Sequence, residues 1–114
     1  MISRMMQHGL EQGPAMIETF HIQGYRNSDN LHLRLTGVFD DEAALALVAA
    51  LRENRGLARK IFVHTAALHE VFDSGAELLR SSLGSFGRSG AEIIFTGKKG
   101  AQIAVKAPGV RFLE

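Results

Sequence analysis

Residues 71–79 read Val-Phe-Asp-Ser-Gly-Ala-Glu-Leu-Leu and stand between two short apolar runs, Ile61-Phe62-Val63 and Ile93-Ile94-Phe95. Each run is continuous, bounded by polar residues and too short for a helix, so each reads as a strand buried on both faces. From Ser74 to about Phe86 the period changes: Leu79, Leu83 and Phe86 fall on one helical face. Gly84 and Gly87 weaken the end of that helix, and Gly90 introduces the second run. Strand, helix and strand of this character predict a parallel βαβ unit whose helix covers the sheet. The helix opens on Asp73-Ser74-Gly75, where unpaired N–H groups and the positive end of the dipole favour an anion or a phosphorylated hydroxyl.

Outward from this unit, Leu31-His32-Leu33-Arg34-Leu35-Thr36 alternates strictly, predicting a half-buried strand with its leucines inward. Ile17–Tyr25 alternates more loosely, and Arg26–Asn30 is dense in turn formers, so the two strands make an antiparallel hairpin. After Gly37, Asp40 or Asp41 caps a helix running to about Asn54, with Ala44, Leu47, Val48 and Leu51 as its buried stripe. A short last helix is predicted from about Lys99 to Lys106, before Pro108-Gly109. The expected architecture is a single α/β domain over residues 15–114, preceded by a disordered tail over residues 1–14. Its mixed sheet has about four to five strands with an N-terminal hairpin, and three to four helices.

Composition narrows the function classes. The 114 residues suit one domain, and 46% apolar with 22% charged residues is ordinary for a globular chain. A formal charge of +1 gives no strong field for nucleic acid or an anionic membrane. With no cysteine, disulfides, thiolate catalysis and thiolate metal sites are excluded. No apolar run reaches a membrane span, and the N-terminus has no uninterrupted apolar stretch of the signal-peptide kind. These features predict a cytoplasmic protein without membrane insertion.

Four groups of residues could carry chemistry. Ser74 with Glu77 has the spacing of a capping box, a structural role; the same hydroxyl could accept a phosphate and become a charge switch. His64 and His69 lie at the carboxyl end of a predicted strand, where α/β sheets bind ligands. As metal ligands they would need a third, such as Glu70 or Asp73, and their spacing matches no metal signature, so they read as surface histidines. Gly97-Lys98-Lys99-Gly100 could cradle a phosphate or, with Lys106, contact nucleic acid; the strand before it makes it a solvated turn. Asp40-Asp41-Glu42 stand at a helix start, where acids favour the dipole. Ser74 has no evident base and no nucleophile elbow. The chain therefore reads as a non-enzyme with no cofactor and no metal.

The order hairpin, helix, strand, Asp73-Ser74-Gly75, helix, strand resembles the STAS family, shared by anti-sigma-factor antagonists and sulfate-transporter tails. The resemblance spans about residues 16–113 and rests on Leu33-Arg34-Leu35-Thr36-Gly37, Ile61-Phe62-Val63, Asp73-Ser74-Gly75 and Gly90-Ala91-Glu92-Ile93-Ile94. It implies a protein-interaction module whose phosphorylated serine falls on Ser74. Its implied partner is an anti-sigma factor that is also a serine kinase, and ATP belongs to that partner. The partner surface would comprise Asp73, Ser74, Gly75 and Glu77, with His64 and His69. Aligned on Gly75, the family's usual acids fall on Phe72 and His64, and Asp73 replaces its first serine. The alternative reading is a STAS-like domain that senses a small anionic ligand or nucleotide without phospho-switching.

Overall fold

The computed structural model describes residues 19–84, 91–103 and 109–113. The chain begins with an antiparallel hairpin, β1 (His21–Asn27) and β2 (Asn30–Phe39). Ser28 takes a φ of 62° in the two-residue turn between them. Helix α1 (Asp41–Asn54) follows directly and leads to β3 (Lys60–His64) and β4 (Leu68–Val71). Then come α2 (Asp73–Gly84), β5 (Glu92–Thr96), the short α3 (Gly100–Ile103) and β6 (Val110–Leu113).

The six strands form a mixed sheet in the order β1-β2-β3-β5-β6, with β4 on β2. Strand β2 is shared: residues 30–34 pair in parallel with β3, and residues 37–39 pair in parallel with β4. The parallel pairing of the two apolar runs is as expected, with Ile61 opposite Ile93 and Val63 opposite Phe95. Six strands are one more than the upper end of the expected four to five, and two of them, β4 and β6, have no individual signal in the sequence. Strand β4 forms in a stretch that reads as loop, because Leu-His-Glu-Val sets two polar residues between its apolar ones and so lacks the alternation of a strand; its pairing with β2 takes a register shift. Strand β6, after Pro108-Gly109, pairs in parallel with β5. The expected tail, the end of the second helix at Phe86 and the last helix beyond Ile103 lie outside the described residues.

One face of the sheet holds the core. Leu31, Leu33 and Leu35 of β2, Ile61 and Val63 of β3, and Ile93 and Phe95 of β5 pack against Ala44, Leu47, Val48 and Leu51 of α1. Leu79 and Leu83 of α2 and Ile103 of α3 complete it. The helical stripes therefore point where their periodicity directs them. Alternation sends the intervening strand residues to the second face. In register order, one row on that face is Tyr25, His32, Phe62, Ile94 and Arg111; the next is Gln23, Arg34, His64, Thr96 and Leu113. The buried residues of α1, Leu79 and Leu83 of α2, and Ile103 of α3 lie in the core on the first face.

Candidate functional site at the start of the second helix

Because β2 and β4 run parallel and each leads straight into a helix, α1 and α2 start side by side. Asp40, one of the two acids the sequence offers as cap, caps α1: its side chain accepts a hydrogen bond from the Ala43 N–H at 3.0 Å. Asp41 and Glu42 in the first turn complement the dipole. The Phe72 N–H donates to the Phe39 carbonyl at 2.9 Å, which ties the entry of α2 to the end of β2.

Gly75 has a packing reason. A Cβ on Gly75 would lie 2.7 Å from both the carbonyl carbon and oxygen of Asp40. The two helix starts therefore meet backbone to backbone, and only glycine allows it. The glycine of Asp-Ser-Gly is buried, while Asp73, Ser74 and Glu77 around it are exposed. Phe72, just before them, is 44% exposed, an unusual position for a phenylalanine.

The capping-box reading of Ser74 and Glu77 does not hold. The first helical bond runs from the Ala76 N–H to the Phe72 carbonyl at 3.1 Å, so Phe72 occupies the cap position and Ser74 is the second residue inside the helix. Among the described residues the Ser74 hydroxyl has no hydrogen-bond partner. Glu77 instead accepts from Arg80 one turn on, at 3.1 Å, and Arg80 also donates to the Gln102 carbonyl at 3.0 Å. The sequence pattern puts the cap two residues late because Phe72 carries no capping side chain; the tertiary bond to Phe39 fixes the entry instead.

His64 and His69 are not brought together. His69 is exposed on β4. His64 is half-buried on the second face of the sheet, away from the core that α2 covers. Its Nε2 lies 2.9 Å from Nδ1 of His32, and its Nδ1 lies 2.7 Å from Oγ1 of Thr96. Burial, and then the neighbouring His32, push the His64 pKa below its ordinary value of 6.5. Around this pair the rings stack: Tyr25 on His32 at 4.9 Å between centroids, and His32 on Phe62 at 4.8 Å. His32, Phe62 and Thr96 were not singled out in the sequence. The strict alternation around His32 assigns its face, but no local signal shows which strands flank it.

At Gly97–Gly100 the chain makes a tight turn closed by a Gly100 N–H to Gly97 carbonyl bond of 3.0 Å. It leads into a helix of only four residues. No group of three or more potential metal-ligating side chains occurs among the described residues. No helix among them is long and apolar enough to cross a membrane.

No family model matches the sequence, and no curated protein matches it. Solved structures do. The anti-sigma factor antagonist SpoIIAA in its unphosphorylated form superposes with a TM-score of 0.52 at 18% identity, over 68% of this chain and 72% of that one. The STAS domain of an antisigma-factor antagonist from Rhodobacter sphaeroides gives 0.53 at 17% identity, over 77% and 95%. An uncharacterized Shewanella loihica protein with a SpoIIAA-like fold gives 0.58 at 11% identity, over 90% and 92%. A match to Mglu, with a TM-score of 0.56 at 23% identity, takes in 64% of this chain but only 18% of Mglu. The chain thus has a STAS-like, SpoIIAA-like fold.

Proposed function

We propose that this chain is a non-catalytic regulatory module of the anti-sigma-factor-antagonist kind, acting in the cytoplasm, with Ser74 as its phosphorylation switch. The observation that carries the reading is the state of Ser74. Its side chain is exposed, has no hydrogen-bond partner among the described residues, and stands in the first turn of α2 beside the exposed ring of Phe72. A kinase could reach such a hydroxyl without unfolding anything. Phosphorylation would add about −1.5 to −2 charge there. The amino end of α2 would tolerate that charge, so the fold would persist. A partner surface fitted to the neutral hydroxyl and to Phe72 would not, because the new charge would be desolvated without a counter-charge.

The likeness to SpoIIAA and to the Rhodobacter sphaeroides antagonist supports a protein partner, which we take to be an anti-sigma factor with serine-kinase activity. The docking surface would comprise Phe72, Asp73, Ser74 and Glu77, with Gly75 holding the helix start in place. His64 faces elsewhere and has no part in it.

The test is a binding titration against a candidate anti-sigma factor with serine-kinase activity from the same genome, using wild type, Ser74→Ala and Ser74→Asp. Ser74→Ala should bind like wild type and resist phosphorylation by that enzyme; Ser74→Asp should stay folded and bind at least about tenfold more weakly, a loss of about 1.4 kcal/mol. Equal binding by all three would remove the switch and favour the anion-sensing alternative.

A further inference from the structure

The second face of the sheet carries a cluster that the reading of Ser74 does not use. We propose that His32, His64 and Thr96 form a proton-responsive clasp across β2, β3 and β5, one that accepts a single proton and is broken by a second.

The geometry sets the proton count. In the neutral cluster each imidazole carries one N–H. Either His32 Nδ1–H donates to His64 Nε2 while His64 Nδ1–H donates to Thr96 Oγ1, or the direction is reversed throughout with the Thr96 hydroxyl donating. The contacts of 2.9 Å and 2.7 Å suit both arrangements. One added proton leaves the N–H···N bond intact, since one facing nitrogen keeps its lone pair. A second proton places hydrogen on both facing nitrogens. The bond is then lost, and two cations face each other at contact distance. Two imidazoles are one ligand short of the three protein ligands of an open zinc site, so the chemistry of this cluster is proton exchange.

The surroundings do not relieve that repulsion. Arg34 on β2 stands opposite His64 in register, and Arg34, Lys60 of β3 and Arg111 of β6 are cations on this face. Glu92 of β5, held by Arg111 at 2.8 Å, and Glu70 of β4, opposite Val38, are carboxylates on this face. From β1 the neighbours are Gln23 and Tyr25. Among the described residues no carboxylate is paired with either ring.

The second proton also has a mechanical consequence. His32 is held between Tyr25 and Phe62 with interplanar angles of 5° and 7°. His64 lies 5.2 Å from His32, ring centre to ring centre, and nearly parallel. His64 is also held at Thr96, 2.7 Å from its Nδ1, so the ring that moves is His32, out of its stack between Tyr25 and Phe62, and the environment of Tyr25 changes with it. Acidification converts a stacked, half-buried row into a separated pair of cations, a change that any molecule contacting this face would sense.

Tyr25 is the only tyrosine and there is no tryptophan, so the row contains its own fluorophore. The experiment follows Tyr25 emission and the histidine ring resonances of the isotope-labelled chain against pH. The reference is the same chain unfolded in urea. His64 should titrate at lower pH than in urea, and Tyr25 emission should change with the same inflexion. His32→Gln should shift the His64 inflexion upward. Long-range proton–nitrogen correlation spectra of wild type should show one facing nitrogen unprotonated above that inflexion and both protonated below it; this readout needs no variant to fold. The proposal is overturned if His64 titrates as it does in urea, if a folded His32→Gln leaves its inflexion in place, or if both facing nitrogens become protonated with no change in Tyr25 emission.

Discussion

Replacing Gly75 by alanine tests the contact that builds the start of α2. By helix propensity alone the change should help, since glycine inside a helix costs about 0.5–1 kcal/mol relative to alanine. The structure predicts the opposite sign. The new Cβ would lie 2.7 Å from the Asp40 carbonyl carbon and oxygen and 3.0 Å from its Cα, whereas ordinary contact begins at 3.4 Å. These are backbone atoms, so no side chain can swing aside. The helix starts must part by several tenths of an ångström, in a place where Asp40 caps α1 and Phe72 is tied to Phe39. Overpacking of this kind costs about 1–3 kcal/mol, and the propensity gain offsets part of it. A contact this short with backbone atoms takes the upper half of that range, so a net loss of about 1–2.5 kcal/mol follows, equivalent to a fall of roughly 4–20 °C in Tm for a domain of this size. Urea denaturation followed by circular dichroism gives the value, with Gly56→Ala as control. A Cβ on Gly56 meets nothing within 4 Å, so that variant should be neutral or slightly stabilised. If Gly75→Ala is as stable as wild type, the two helix starts are not in backbone contact and the account of the Asp-Ser-Gly turn fails.

Asp40→Ala should lose about 0.5–2 kcal/mol as a true cap, whereas Ser74→Ala, at a position inside the helix, should stay within about 0.5 kcal/mol of wild type in the same melts; a larger loss for Ser74→Ala than for Asp40→Ala would reverse the assignment. Leu83→Ala, at a fully buried site on α2, should cost about 2–5 kcal/mol, and an unchanged denaturation midpoint would show that its side chain does not reach the core. The depressed His64 pKa makes stability pH-dependent. The unfolded chain protonates this histidine first, so its contribution to folding is complete above the ordinary value of 6.5 and is lost as pH falls from there through the folded-state pKa. The fall in stability between about pH 8 and pH 5.5 should therefore be smaller for His64→Gln than for wild type, and equal slopes would show that His64 does not contribute.

The elements legible in the chain are those whose signal is local. Alternation in Leu31–Leu35, unbroken apolar character in Ile61–Val63 and Ile93–Phe95, and the stripe from Ala44 to Leu51 each state which side of an element is buried. The acids at Asp40-Asp41 mark where the helix begins, although only the structure decides that Asp40 is the cap. Each depends only on residues within one or two turns, and the hydrophobic effect acts on that pattern wherever the element packs.

The rest belongs to residues that meet only after folding. Strand β4 exists because the end of β2 offers it unpaired backbone groups. The start of α2 is set by the Phe72–Phe39 bond, which overrode the capping pattern of Ser74 and Glu77. Gly75 reads as a helix-start glycine of no special importance until Asp40 is placed against it. His32, His64 and Thr96 are each separated from the next by 32 residues, yet parallel pairing of β2, β3 and β5 sets them side by side. Local sequence determines which way a side chain points from its own backbone. Which strand lies next to it is decided by burial of the whole core, to which distant residues contribute together. Hydrogen bonds and proton sharing act only at contact distance, so that choice of neighbours determined the histidine clasp.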